Sequence, residues 1–265
     1  MPLQKRTIFL GLFLLVLLLF VLPERFFSFL TAPTTTEEQT EEQRYCFGNF
    51  GEKGNEASPV QIVGLGDSLT AGIGDEKEAG GYLGSLKRQL AEEDCFVTIK
   101  NYSKSGYKST DLLNTLKEDD VVSAIREADM VVFTIGANDL VSLIKKHKIQ
   151  INQEVVETAQ KQYAKHIESI LQEIRQINPK VKIYAIGFYN PFAQIFASQE
   201  EVHALISRWN EQTKEEVTKA EDAFFIPIDQ VFAQRLEELL ADDLFHPNYQ
   251  GYETIANQII RHLKK

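Results

Sequence analysis

The chain has 265 residues, of which 43% are apolar and 25% are charged, a balance typical of a globular protein with enough apolar mass to bury a large core. Its 28 basic and 38 acidic residues give a formal net charge of −10, which argues against a nucleic-acid-binding protein because phosphate neutralisation requires clustered cations. The two cysteines, Cys46 and Cys95, are too few and too far apart for a C-x-x-C zinc site or a disulfide-rich scaffold, so they form at most one bridge.

The N-terminal segment, residues 1–32, predicts membrane targeting. Two basic residues precede an unbroken apolar run over 8–22. At about 1.5 Å per residue a helix of this run reaches roughly 22 Å, short of a hydrocarbon core of about 30 Å. Length therefore leaves open an uncleaved anchor, a signal peptide and, least favoured, a buried core helix. The best cleavage site, Leu30-Thr31-Ala32, has leucine where a small residue is required, which favours the anchor.

Charges on either side of the apolar run predict which side of the membrane carries the rest of the chain. Basic residues precede the run and four glutamates follow it within 37–42, which places the bulk of the chain outside the cytoplasm. Residues 31–43 are rich in Thr, Glu and Gln, lack apolar periodicity and predict a solvated tether. We therefore expect an anchor or signal over 1–32, a polar tether over 33–58 and a folded domain over 59–265, located on the outer face of the cell membrane or secreted after cleavage.

From residue 59 onward, short β-branched or aromatic runs alternate with helical patterns. The sequence predicts strands over 60–66, 96–102, 130–135, 181–187 and 223–228. It predicts helices over 81–92, 110–127, 153–177, 199–220 and 248–263. Such alternation is typical of an α/β fold with a single doubly wound, mainly parallel five-stranded sheet and helices on both faces. In that architecture, functional sites lie beyond the carboxyl ends of the strands.

The first loop beyond a strand carries Ser68 in a glycine-rich turn. Neither of the phosphate-binding patterns G-x-G-x-x-G and G-x-x-x-x-G-K-[ST] is present there. The nucleophile elbow G-x-S-x-G is also absent, because residue 70 is threonine. Taken alone, Ser68 is better explained as a helix cap than as a nucleophile.

A serine hydroxyl becomes an effective nucleophile when a base removes its proton, and the usual base is a histidine with an orienting carboxylate. Four histidines lie in helical or Lys-rich stretches without such a carboxylate, and we expect surface roles for them: His147, His166, His203 and His262. His246 differs, because Pro247 biases it away from helical geometry and Asp243 can fold back onto its Nδ1. Asp242 competes for that role, and we prefer Asp243.

Two further loops can supply hydrogen-bond donors to an oxyanion. After the second strand, Gly106 can present its backbone N–H without a side chain in the way. After the third strand, Asn138 can donate from a neutral amide. As isolated features, a glycine and an asparagine in turns usually reflect only turn chemistry.

Together these loops resemble the SGNH/GDSL hydrolase family over roughly residues 59–263. The matching blocks, in chain order, are Gly66-Asp67-Ser68-Leu69, Gly106, Gly136-Ala137-Asn138-Asp139 and Asp243-Leu244-Phe245-His246. The resemblance implies a flavodoxin-like fold and a catalytic triad of Ser68, His246 and Asp243. It also implies an oxyanion hole formed by the N–H groups of Ser68 and Gly106 and the side chain of Asn138. No metal and no organic cofactor are implied.

The implied activity is that of an extracytoplasmic serine esterase or lipase acting on small-molecule, lipid or glycan esters. An acyltransferase, a carbohydrate O-deacetylase acting on cell-surface polymers and an inactive surface-displayed binding protein remain alternatives. The membrane is an expected partner through the N-terminal segment, and nucleic acid is not. The extracytoplasmic location also favours a bridge between Cys46 and Cys95, which would pin the end of the tether to the turn before the second strand.

Two stretches are expected to border the cleft. Residues 140–150 contain Lys145, Lys146 and Lys148, which can attract an anionic headgroup but by default form a solvated surface. The loop over 188–196 is unusually apolar, so it lines an acyl-chain groove, forms a lid or packs beneath the neighbouring helix.

Overall fold

Five parallel strands form the centre of the fold, in a computed structural model that describes Cys46 and residues 53–147, 153–191, 193 and 200–264. The strands are β1 (Val60–Gly66), β2 (Val97–Asn101), β3 (Met130–Thr134), β4 (Lys182–Ile186) and β5 (Ala223–Ile226). Their order is β2-β1-β3-β4-β5, and every neighbouring pair is parallel. The predicted α/β fold class is confirmed, and the strand ends lie within two residues of the predicted ones.

The central strand β3 is buried along its whole length because helices cover both faces of the sheet. Side chains alternate between the faces of a strand. Met130 and Val132 accordingly lie in one apolar core, and Val131 and Phe133 lie in a second core on the opposite face.

Ten helices lie in the described part of the chain. They are α1 (Ser68–Ala71), α2 (Gly81–Glu92), α3 (Ser109–Thr115), α4 (Asp119–Glu127), α5 (Ala137–His147), α6 (Gln153–Ile177), α7 (Glu200–Lys219), α8 (Asp229–Ala233), α9 (Leu236–Leu239) and α10 (Tyr249–Leu263). Helices α2 and α10 belong to one core, and α3, α4, α6 and α7 belong to the other. Both α2 and α6 begin and end where the sequence predicts, and α7 and α10 agree to within one residue.

The single helix predicted over 110–127 is wrong, because the chain breaks between α3 and α4. Glu118 has an extended backbone, and α4 then begins with acidic side chains, which stabilise a helix N-terminus. Leu116 and Val121 are both buried in the same core. In one continuous helix they would lie about 140° apart around the axis. The break allows both side chains to enter the core.

A disulfide joins Cys46 to Cys95, with 5.2 Å between their Cα atoms, and confirms the predicted bridge. It connects the segment before β1 to the turn before β2. Beside it, the N–H of Phe96 donates to the carbonyl of Gly54 at 2.8 Å. Among the described residues, no helix combines the length and apolarity needed to cross a bilayer. The anchor or signal expected over 1–32 lies outside the described residues.

Candidate functional site

The turn after β1 places Ser68 at the carboxyl end of the sheet. Gly66 has φ +116°, and a Cβ there would overlap the carbonyl of Thr134, so the turn requires glycine. Asp67 caps α1 by accepting a hydrogen bond from the N–H of Leu69 at 3.2 Å. The capping role considered for Ser68 therefore belongs to Asp67. Ser68 is the first residue of α1 and its hydroxyl contacts His246.

Ser68, His246 and Asp243 form a continuous hydrogen-bonded chain. Nε2 of His246 lies 3.0 Å from Oγ of Ser68, and Nδ1 lies 2.6 Å from Oδ2 of Asp243. The second oxygen of Asp243 accepts the N–H groups of Phe245 and His246, both at 2.9 Å. A carboxylate at Nδ1 holds the proton on that nitrogen, which leaves Nε2 free to accept the serine proton.

Partial burial acts to raise the pKa of the Asp243 carboxyl, but the hydrogen bonds from the His246 ring and from the backbone N–H groups outweigh it. The net effect is a pKa below the usual range, so Asp243 stays ionised. Asp242 is exposed, and the carboxylate that contacts Nδ1 is that of Asp243.

Three contacts hold the loop that carries His246, two of them from distant segments. Ala241 donates its N–H to the carbonyl of His246 at 2.9 Å, and the hydroxyl of Tyr189 donates to the carbonyl of Phe245 at 2.6 Å. Gly74 packs so closely that a Cβ there would lie 2.8 Å from Cβ of His246. The backbone and the Cβ of His246 are therefore held in place, and with them the position from which the imidazole extends.

The structure brings Gly106 and Asn138 to the same end of the sheet. Gly106 has φ +86°, a conformation that favours glycine. Just before it, Lys104 donates its N–H to the carbonyl of Gly66 at 2.9 Å. Just after it, Tyr107 accepts a hydrogen bond from Nδ2 of Asn138 at 2.9 Å. An amide nitrogen carries two hydrogens, so Asn138 keeps a second donor beyond this contact.

A buried polar network that sequence reasoning did not identify lies beneath Ser68. Thr134 donates to Oδ1 of Asp67 at 2.6 Å, and its hydroxyl is 2.8 Å from that of Thr70, which is 2.7 Å from the hydroxyl of Tyr82. Burial raises the pKa of Asp67 to about 6, although the hydrogen bonds from Thr134 and Leu69 act to lower it. The sequence signal was available, because Asp67 lies in the first family block.

A pocket opens beside Ser68 and Asn138, where the empty space, open solvent included, is about 600 Å³. Its walls are mainly apolar and include Leu140, Val141, Phe188, Pro191, Ile206 and Trp209. The beginning of the apolar loop predicted over 188–196 thus borders the pocket, whereas residues 192 and 194–196 lie outside the described residues. The expectation that residues 140–150 border the cleft is confirmed at Leu140 and Val141, whereas the helical form of that stretch and the wall from α7 were not predicted. Leu140, Leu143 and Ile144 carried the helical spacing that indicates α5.

The other histidines have different surroundings. His203 is exposed, and Nδ1 of His262 lies 2.8 Å from a backbone carbonyl of its own helix. The surface role expected for His166 is wrong, because this half-buried residue has Nδ1 2.8 Å from Oγ of Ser109. The side chain of His147 is not among those that the structure describes, and Lys148 and Gln150 lie outside the described residues. Within the described ranges, no three His, Cys, Asp or Glu side chains are grouped to hold a metal ion.

Comparison with known proteins identifies the family of the chain. Residues 65–254 match the GDSL-like lipase/acylhydrolase family. The uncharacterised protein YpmR of Bacillus subtilis is 34% identical over 210 residues, which cover 78% of this chain and 82% of that protein. The spore germination lipase LipC of Bacillus licheniformis is 27% identical over 205 residues, which cover 76% of this chain and 94% of that protein.

A solved structure shows the same architecture. The lipase Lip_vut3 from a goat rumen metagenome superposes with a TM-score of 0.69 at 27% identity, covering 77% of this chain and 97% of that one. The family match spans well over half of the chain and includes Ser68, Asn138 and His246. The chain therefore belongs to the GDSL-like lipase/acylhydrolase family and is an ester-hydrolysing enzyme.

Proposed function

We propose that the chain is an extracytoplasmic serine esterase or lipase in which Ser68, His246 and Asp243 are the catalytic triad. The observation that carries this proposal is the chain of contacts from Asp243 through both ring nitrogens of His246 to Ser68, at 2.6 and 3.0 Å. Both distances lie in the range required for proton transfer between a nucleophile and its base.

In the first half of the reaction, Oγ of Ser68 attacks the ester carbonyl carbon while Nε2 of His246 takes the serine proton. Asp243 stabilises the resulting imidazolium. The carbonyl oxygen becomes an oxyanion that accepts hydrogen bonds from the N–H groups of Ser68 and Gly106 and from Nδ2 of Asn138. Collapse of the tetrahedral intermediate breaks the bond to the leaving oxygen, which receives the proton from His246, and leaves an acyl group on Ser68.

In the second half, water attacks the acyl carbon while Nε2 of His246 takes one of its protons. The same three donors stabilise the second oxyanion. The bond to Oγ of Ser68 then breaks, His246 returns the proton to the serine, and the carboxylic acid leaves. One ester and one water are thus converted to one alcohol and one acid.

The pocket beside Ser68 supports acyl groups longer than acetyl. Leu140, Ile206 and Trp209 contribute apolar wall that an acetyl group would leave unfilled. Each methylene buried against such a wall contributes about 0.8 kcal/mol. A panel of esters from acetyl to decanoyl tests this point, with kcat/KM rising with chain length as the expected result. A strict preference for acetyl would favour the carbohydrate O-deacetylase, and dominant transfer to an added alcohol would favour the acyltransferase.

We also propose that the catalytic domain lies outside the cytoplasm, held at the membrane by residues 1–32. The arrangement of charges around the apolar run supports this orientation. The disulfide between Cys46 and Cys95 supports an oxidising compartment. Fractionation of the producing cells, combined with the intact mass of the protein, distinguishes a membrane-bound uncleaved chain from a secreted one that lacks the segment.

Covalent labelling with a fluorophosphonate tests the triad. We expect a single adduct on the folded domain, at Ser68, because a serine activated by histidine is the group that reacts readily with this probe. Ser68→Ala should abolish the adduct. Ser85→Ala is the matched control, because Ser85 is a fully buried serine on α2 without a histidine contact among the described hydrogen bonds. An unlabelled wild type, or an adduct that persists in Ser68→Ala, would overturn the assignment.

A further inference from the structure

A second cluster of serine, aspartate and histidine lies behind the oxyanion donors. The carboxylate of Asp139 accepts two hydrogen bonds from Ser109, one from its N–H at 2.9 Å and one from its hydroxyl at 2.5 Å. Nδ1 of His166 lies 2.8 Å from the same hydroxyl oxygen. The three residues come from three different helices, α3, α5 and α6.

The order of contacts excludes a second catalytic triad. The hydroxyl of Ser109 has one hydrogen, which is directed to Asp139, so its oxygen accepts from the Nδ1–H of His166. The histidine is therefore a donor to this serine and not its base. Ser109 is also completely buried. No substrate carbonyl can reach it, and the cluster requires another explanation.

The cluster joins two loops that the sheet does not hold together. The loop with Gly106 follows β2, and the loop with Asn138 follows β3. These strands lie on opposite sides of β1 and share no backbone hydrogen bonds. Ser109 is three residues after Gly106, and Asp139 directly follows Asn138. The contacts between Ser109 and Asp139 therefore connect the two loops that carry the proposed oxyanion donors.

The surroundings of the Asp139 carboxylate favour its hydrogen bonds with Ser109. Burial raises the pKa of its carboxyl, whereas the two bonds from Ser109 and the nearby His166 act to lower it. A buried carboxylate without partners is costly, so the fold favours the one arrangement that satisfies it. A further bond supports the same junction, from Nζ of Lys108 to Oγ of Ser142 at 3.0 Å.

We propose that Ser109, Asp139 and His166 are positioning residues that fix the separation between the N–H of Gly106 and Nδ2 of Asn138. The inference rests on the proposed serine-hydrolase mechanism and deepens it. Removing the network moves the two donors relative to the oxyanion. The serine, its base and the acyl pocket stay in place, so the loss falls on kcat and leaves KM nearly unchanged.

A double-mutant cycle tests the proposal, with kcat measured at saturating concentrations of a chromogenic ester. Ser109→Ala should lower kcat by about 10- to 100-fold, since a displacement on the order of 1 Å at a reacting centre has effects of this size. In the background of Asn138→Ala, one of the two positioned donors is already missing. The same substitution should then cost at least threefold less, whereas independent sites add to within about twofold. Equal losses in the two backgrounds would overturn the proposal.

The histidine offers a test that keeps the buried serine intact. His166→Asn retains a donor near the position of Nδ1, and His166→Leu removes it. We expect the kcat of His166→Asn to stay within about threefold of the wild-type value and the kcat of His166→Leu to fall by more than about threefold. A merely structural role predicts that kcat follows the melting temperature in both variants. Equal kcat values for the two folded variants would contradict the proposal.

Controls separate failure of this inference from failure of the proposed function. Ser85→Ala truncates another fully buried serine, away from the donors, and should leave kcat unchanged. Fluorophosphonate labelling of Ser68 in the wild type reports on the triad alone. If the wild type is labelled and folded Ser109→Ala keeps full kcat, the positioning role fails and the triad stands. If the wild type is not labelled, the proposed mechanism fails and the positioning role fails with it.

Discussion

Replacing Asn138 by alanine removes a donor whose proposed contact strengthens when the ester carbonyl becomes an oxyanion. One hydrogen of the Asn138 amide is used on the carbonyl of Tyr107 at 2.9 Å, and the second is available to the pocket that Ser68 also lines. Loss of one oxyanion donor lowers kcat by about 10²–10³-fold, or about 2.7–4 kcal/mol. Loss of the bond to Tyr107 costs about 1 kcal/mol of folding stability. We therefore expect activity to fall much further than stability.

The variant Asn138→Asp sharpens this expectation, because an ionised carboxylate accepts hydrogen bonds and repels the developing negative charge. Its kcat should be at least as low as that of Asn138→Ala. Asn178→Ala is the matched control, because Asn178 also donates from its amide to backbone carbonyls, those of Ile125 and Ala128 at 2.9 and 2.8 Å. It lies at the opposite end of the sheet, before β4, and its loss should reduce stability while kcat is kept.

Steady-state kinetics and urea unfolding on the same preparations provide the test. The expected pattern for Asn138→Ala is a large fall in kcat, a small change in KM and a modest fall in the free energy of unfolding. Retention of most of the wild-type kcat by the folded variant would refute the reasoning. The third donor would then lie elsewhere, and the N–H groups of Ser68 and Gly106 would be the remaining assigned contacts.

Three further predictions concern the pocket, the disulfide and the buried carboxyl. Val141→Phe should lower kcat/KM for octanoyl esters and leave kcat/KM for acetyl esters unchanged, because the larger side chain fills the pocket. An unchanged ratio of the octanoyl to the acetyl kcat/KM would contradict this. Replacing Cys46 and Cys95 by serine should cost about 4 kcal/mol in urea unfolding, because their separation of 49 residues closes a long loop; a cost below about 1 kcal/mol excludes this effect. The pKa of Asp67 is raised to about 6 in the folded chain from 3.8, so its stabilising contribution is present below pH 3.8 and is lost as pH rises through 6. The free energy of unfolding of Asp67→Asn should therefore rise by about 3 kcal/mol relative to that of the wild type between pH 3 and pH 8, and an equal difference at both pH values would disprove the shift.

Local sequence patterns were sufficient to predict the sheet, whereas most of the candidate site residues were identified by the joint resemblance of four loops to the family blocks. Apolar β-branched runs such as Val131–Phe133 belong to strands buried on both faces, and the side chains beyond their ends converge because parallel strands share one carboxyl edge. The proximity of Asp243 and His246 was also accessible, because three residues and a following proline suffice to fold the carboxylate onto Nδ1.

Features that depend on contacts between residues distant in the chain could not be predicted from the sequence. His166 was expected to be a surface residue, but its partner Ser109 lies 57 positions earlier in the chain, and no local pattern connects the two. The break between α3 and α4 likewise results from the shared core that buries Leu116 and Val121. Helix α5 is a different case, since its spacing was present in the sequence but was interpreted as a stretch bordering the cleft.

The candidate site is held together by contacts at the carboxyl edge of the sheet, and each contact joins the end of one strand, or the loop after it, to that of another. Lys104 donates to Gly66 at 2.9 Å, Asp67 donates its backbone N–H to Thr134 at 3.1 Å, and Asn138 donates to Tyr107. None of these bonds can form until β1, β2 and β3 lie side by side in the sheet. The loops that carry the nucleophile and its three proposed donors are therefore assembled together with the folded core. This dependence supports the proposed positioning role of Ser109, Asp139 and His166, because these residues connect two of the loops.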